Sequence, residues 1–288
     1  MFDLKKYLDR RSIIVDEVLD KLIPAPDIRP TILHKAMRYS VFSGGKRIRP
    51  ILCLAAAEVV GSSYRSALIP AASIELLHTY TLVHDDLPCM DNDDFRRGKP
   101  TVHKKFGEAN AVLTGDALQA LAFEVIVRTQ TVAASTKAKL VQELACAAGS
   151  TGVIGGQVED LAAISRKQTK GMIDFIHLHK TADLFRASLR MGALSSGASR
   201  KEIEALTIYG SNLGLAFQIT DDLLDAGQPD SRTHSDKPEL TCLSVMTPAK
   251  ARMKAETLIH DAMTSLQSLK AACQPLISIA QFVITRTY

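Results

Sequence analysis

Apolar residues recur at i, i+3, i+4 and i+7 along almost the whole chain, and the period-two alternation of a half-buried strand is nearly absent. A chain patterned this way can only bury its apolar stripes by packing helix on helix. The periodicity predicts about ten helices, over residues 3–22, 31–43, 49–61, 65–87, 108–128, 135–149, 151–165, 171–195, 200–225 and 247–285, the last broken near Pro275. Pro24, Pro26 and Pro30 close the first helix, Gly44-Gly45 the second, and Pro88 ends or kinks the fourth. Only 5% of residues are aromatic and none is Trp, so the core is built from Leu, Ile, Val and Ala. Such side chains suit close helix packing around a central cavity.

No linker, charge block, low-complexity tract or repeat divides the 288 residues, and one domain spanning 1–288 is expected. A hydrophobic share of 46% against 23% charged excludes a disordered chain. The net charge of +4 is too mild and too scattered for a nucleic-acid surface. Five cysteines, odd in number and without a Cys-x-x-Cys pair, fit reduced thiols and a cytoplasmic location. The N-terminus mixes charge with apolar residues, unlike a signal peptide. The most apolar stretch, 111–127, is interrupted by Asp116, Gln119 and Glu124, and no membrane span is expected.

Two segments place aspartates where a helix should bury apolar side chains: Asp85-Asp86-Leu87-Pro88-Cys89-Met90-Asp91, and Gln218-Ile219-Thr220-Asp221-Asp222-Leu223-Leu224-Asp225. In the second, Gln218, Asp221, Asp222 and Asp225 share one helical face, and Gly214 one turn earlier leaves room above it. Carboxylates at i and i+4 repel, and burial sharpens the repulsion unless a cation lies between them. An all-oxygen donor set selects a hard divalent cation, and Mg²⁺ typically takes one or two carboxylates plus substrate phosphates. In the first cluster, Asp85 and Asp91 would diverge on an ideal helix, but a break at Pro88 lets the chain turn Asp91 back. His78 lies two turns before Asp85 on the same face. Lys46, Arg47 and Arg49 follow Gly44-Gly45, and Arg96-Arg97 follow the first acidic cluster; such groups hold diphosphates.

In order, Gly-Gly-Lys-Arg-x-Arg-Pro, Asp-Asp-x-x-x-x-Asp with Arg-Arg-Gly, Lys180-Thr181 and Phe-Gln-x-x-Asp-Asp-x-x-Asp resemble the trans-prenyl diphosphate synthases. The stretch 85–94, Gly107-Glu108-Ala109-Asn110, Gly115-Asp116-Ala117-Leu118 and Gly155-Gly156-Gln157 are similar to the bacterial farnesyl and plant geranylgeranyl branch. The resemblance implies an all-α bundle around a deep apolar pocket, usually a homodimer. By it, Asp85, Asp91, Asp221 and Asp225 hold about three Mg²⁺ ions on the allylic diphosphate. Gly45, Lys46, Arg49, His78 and Arg97 match positions that hold isopentenyl diphosphate; Arg96, Lys180, Thr181 and Gln218 match those facing the allylic substrate.

The expected reaction is ionisation of an allylic diphosphate, attack by isopentenyl diphosphate and proton loss. Tyr80 and Thr81 both lie about one turn before Asp85, and helix geometry places Thr81 nearer the Asp85 face. The resemblance instead selects Tyr80 as the pocket floor. Farnesyl-producing bacterial relatives carry an aromatic residue there, so fifteen-carbon farnesyl diphosphate is the expected product and the twenty-carbon homologue the alternative. One stretch departs from the family: residues 226–245 are shorter, lack its Gly-Lys-x-x-Gly-x-Asp, offer only Lys237, and put Cys242 at an aromatic position. A terpene cyclase needs no second diphosphate site, which Lys46, Arg49 and Arg97 argue against. A non-catalytic partner subunit would be expected to lose one acidic cluster, and both are present.

Overall fold

The computed structural model describes residues 2–61, 63–130, 132–227, 240–269 and 273–286. Among them the chain forms α1 (Leu4–Leu22), α2 (Thr31–Val41), α3 (Ile48–Val59), α4 (Leu68–Asp85), α5 (Val102–Phe106), α6 (Glu108–Arg128), α7 (Ala134–Ala148), α8 (Val153–Ala163), α9 (Lys170–Ile176), α10 (Asp183–Ser195), α11 (Arg200–Ala226), α12 (Pro248–Leu266) and α13 (Gln274–Thr285). The all-helical expectation holds. A two-stranded hairpin, β1 (Phe95–Arg96) and β2 (Lys99–Pro100), is the sole sheet among the described residues.

Local chemistry sets several helix starts. The Asp3 carboxylate accepts the Lys6 N–H at α1. At α11, Ser199 and Glu202 form a reciprocal capping box. Thr247 caps α12 ahead of Pro248. The last helix is broken near Pro275, as expected. Pro275 lies in the first turn of α13, where its missing N–H leaves no bond unmade, and α12 ends before it at Leu266. The expected helix 171–195 is likewise divided: α9 and α10 are joined by a π-helical turn, His177–Ala182.

α10 is the central staff, packed against α3, α4, α7 and α11, and α4 pairs with α6. One apolar cluster gathers around α4 and α6, with Tyr80, Leu118 and Val125, and another around α3, α10, α11 and α13, with Leu52, Phe185 and Tyr209. α6 is the one described helix long and apolar enough to cross a membrane. Its Ala111, Leu118, Ala122 and Val125 are buried, while Val112, Leu113 and Val127 are exposed. The space above Gly214 is taken by protein: a Cβ there would lie 2.6 Å from Ala182 Cα, so this glycine seats α11 on the π turn.

Candidate active site

The first acidic cluster forms where α4 ends. Asp85 is its last residue, and Pro88 lies in the turn that follows. The Asp91 N–H donates to the Asp85 carbonyl at 2.8 Å, folding Asp91 back beside Asp85. Burial chiefly pushes the Asp85 carboxyl up to about 7, opposed by Lys180 and reinforced by Asp91. Asp91 is raised for the same first reason. Asp86 is 3% exposed and turns away, held by Arg96 Nε at 2.6 Å. Arg96 also reaches Asp93 at 3.3 Å, so its guanidinium is anchored in this turn.

Across from it, α11 carries the second cluster. Burial raises Asp221 to about 6 and also raises Asp225, each partly offset by Arg286. Asp222 lies on the shared face beside Gln218 but is taken up by protein partners. It is 3% exposed, lies 3.3 Å from His177 Nε2, and accepts the Cys242 N–H at 2.7 Å and Gln218 Nε2 at 3.0 Å. Burial would raise Asp222, but His177, Cys242 and Gln218 bring it below the usual carboxylate range. Gln218 is thereby oriented, and its Oε1 accepts the Thr181 hydroxyl at 2.7 Å. Lys180 Nζ donates to Asp160 at 2.5 Å and lies close enough to Asp85 and Asp91 to lower both.

A separate cationic cleft is lined by Gly45, Lys46, Arg49, His78, Arg97 and Phe217, among others. The five residues matched by resemblance to isopentenyl diphosphate therefore converge from three segments. Arg97 and Gly98 both have positive φ, 54° and 73°, the two-residue turn that joins β1 to β2. That turn directs the Arg97 guanidinium onto the Gly44 carbonyl. Gly45, at φ +128°, yields to it, since a Cβ there would lie 2.5 Å from Arg97 Nη1. Arg49 Nη1 lies 3.2 Å from His78 Nε2. Burial lowers Arg49 to about 10, and burial with four nearby arginines holds His78 neutral, well below the usual histidine range. These groups form a concentrated positive field that an anion would relieve.

Arg47 differs from its neighbours. It is 4% exposed and donates to Asp16 at 2.9 Å, Glu75 at 2.6 Å and the Val41 carbonyl at 2.6 Å. It anchors the loop that presents Lys46 and Arg49. Tyr80 is 6% exposed, one turn below Asp85, edge-on to His84 with ring centroids 5.3 Å apart.

A polyprenyl synthetase family model matches residues 30–246. The chain belongs to the polyprenyl synthetase family. It is 40% identical to the geranylgeranyl diphosphate synthase of Cyanophora paradoxa, over 99% of this chain and 97% of that one. It is 41% identical to geranylgeranyl pyrophosphate synthase 4 of Arabidopsis thaliana, over 100% of this chain and 79% of that one. An FPP/GFPP synthase from Zymomonas mobilis superposes with a TM-score of 0.89 at 38% identity, over 98% of this chain and 99% of that one.

In this polyprenyl synthetase, Asp160, Glu75, His177 and Arg286 add polar partners around the site residues and escaped the sequence reading. Asp160 left one signal: it continues the face of α8 that carries the buried Val153, Gly156 and Gln157. Lys237 lies outside the described residues.

The raised carboxyls have a measurable consequence. Asp85 titrates near 7 folded and about 3.9 unfolded. The folded chain therefore holds the extra proton, and this residue's contribution to stability falls as pH rises through that window. Asp85→Asn removes the buried charge. In EDTA the variant is expected to gain melting temperature over wild type at about pH 8, and to gain less at about pH 5. An equal gain at both pH values would show that Asp85 titrates normally.

Proposed function

We propose that this prenyltransferase elongates allylic diphosphates with isopentenyl diphosphate in a Mg²⁺-dependent reaction whose main product is twenty-carbon geranylgeranyl diphosphate. One observation carries the reading: an acidic pair of clusters and a cationic cleft lie side by side, joined at α11 by Phe217 and Asp221. The first suits a metal-bound diphosphate and the second a bare one.

The donor set fits Mg²⁺. Asp85, Asp91, Asp221 and Asp225 offer only oxygen, and burial raises all four carboxyls. Mg²⁺ typically takes one or two carboxylates and the rest of its shell from water and substrate phosphates. When bound, Mg²⁺ supplies the electrophilic pull on the departing diphosphate. Lys180, tethered to Asp160, adds a fixed positive charge on the same side. Thr181 and Gln218 present oxygens to the allylic cation, and their mutual hydrogen bond holds the two side chains together. Arg49, Lys46, Arg97 and neutral His78 orient isopentenyl diphosphate so that its double bond faces that cation. The proton released on alkylation passes to the freed diphosphate.

The twenty-carbon product is supported by the names of the plant and algal relatives. Exposed Val112, Leu113 and Val127 on α6 suit burial in a homodimer. A farnesyl product is favoured by the buried Tyr80 alone. Purified chain incubated with labelled isopentenyl diphosphate, dimethylallyl diphosphate and Mg²⁺ is expected to yield geranylgeraniol after dephosphorylation. Farnesol would establish the second reading, and no product would point to a non-catalytic subunit. Tyr80→Ala is expected to shift the main product by at least one five-carbon unit. An unchanged distribution from an active variant would remove Tyr80 from the pocket floor.

A further inference from the structure

The last described residue delivers a guanidinium into the second acidic cluster. Arg286, which follows α13, places Nη2 2.7 Å from Asp221 Oδ1. The same Nη2 donates to the Phe217 carbonyl at 3.0 Å, and the guanidinium carbon lies 4.0 Å from the Phe217 ring centroid. Its side chain is 5% exposed, and Nε is buried without a hydrogen-bond partner. A surface salt bridge would leave such a group hydrated and loosely held. Here it is desolvated, stacked and aimed at one carboxylate oxygen, on the residue that the functional reading assigns to the metal.

We propose that Arg286 is a positioning residue that acts through Asp221, serving as its counter-cation until a divalent ion displaces the guanidinium. The proposal rests on the metal reading above. Mg²⁺ binds carboxylate oxygen at about 2.0–2.1 Å and demands near-octahedral access. A guanidinium already on Oδ1 crowds that approach and repels the ion, so the two cations exchange rather than coexist. α13 packs against α1, α3, α11 and α12, so the exchange links metal loading to the C-terminal end of the bundle. Asp221 stays oriented meanwhile by a partner that itself is fixed on Phe217.

The test is Mn²⁺ titration followed by electron paramagnetic resonance in saturating inorganic pyrophosphate, with no turnover involved. Arg286→Gln is expected to tighten Mn²⁺ binding about tenfold, equivalent to about 1.4 kcal/mol. Arg286→Lys should remain near wild type. In an Asp221→Asn background, Arg286→Gln should change nothing, because the interaction it removes is already gone. Unchanged or weaker Mn²⁺ binding in Arg286→Gln overturns the proposal, as does the same gain in the Asp221→Asn background. Should Arg286→Gln fail to fold, Arg286→Met, which keeps an apolar stem against Phe217, replaces it under the same criteria. A wild-type chain that binds no Mn²⁺ with pyrophosphate overturns the metal reading and this proposal together. Normal wild-type binding with an indifferent Arg286→Gln overturns only the latter.

Discussion

Asp85→Ala and Asp221→Ala are each expected to lower turnover by roughly 10³-fold or more while leaving helicity intact. The two residues stand on different helices, α4 and α11, and neither has a neighbour able to replace it. Asp86 and Asp222 are next in sequence, but Arg96 holds the first, and His177, Cys242 and Gln218 hold the second. Asp85→Ala removes a buried charge that the fold tolerates poorly, so it should melt no lower than wild type without metal, whereas Asp221→Ala also unpairs the buried Arg286 and should melt lower. Steady-state rates at saturating Mg²⁺, beside far-ultraviolet circular dichroism, provide the check. Near-normal turnover in either variant would place the metal elsewhere.

The second large effect concerns stability. Glu75→Ala is expected to destabilise the chain by about 3–5 kcal/mol, because it strands a buried guanidinium. Arg47 and Glu75 are 4% and 2% exposed, and the half-exposed Asp16 cannot neutralise Arg47 alone. Arg47 also has φ 51°, a left-handed conformation that its three hydrogen-bonding partners must maintain. Replacing both residues with apolar ones, Arg47→Met with Glu75→Leu, should recover much of the stability. Urea denaturation measures both. A loss below about 1 kcal/mol for Glu75→Ala would show that the pair is not what anchors the loop.

What the sequence disclosed follows the range of the interactions involved. α6 runs over the expected 108–128, since an apolar stripe bounded by Gly107 and Arg128 needs only local information. The carboxylate face of α11 followed from residue spacing. That Asp222 would be buried and engaged by protein did not, because its partners His177 and Cys242 come from a π turn and from a segment twenty residues on. Arg47, Lys46 and Arg49 look alike in a string of letters, and only burial separates the anchor from the ligands. The β1–β2 hairpin was too short for any period to register, though Gly98 marks its turn. The product length stayed open for a related reason. Tyr80 and Thr81 differ by one position, and the cavity each meets depends on α6 across the bundle.

The π turn between α9 and α10 imposes a restriction of another kind. One additional residue in a helix rotates everything after it by about 100° without breaking the rod. The run from 170 to 195 therefore has two angular frames: one seats Ile173 and Ile176, the other Phe185 and Leu189, and Lys180 and Thr181 fall on the seam. Shortening the seam by one residue would restore an unbroken α-helix and swing Lys180 from Asp160, and Thr181 from Gln218, with no apolar side chain altered in kind. In this stretch, residue count is a stricter inheritance than residue type.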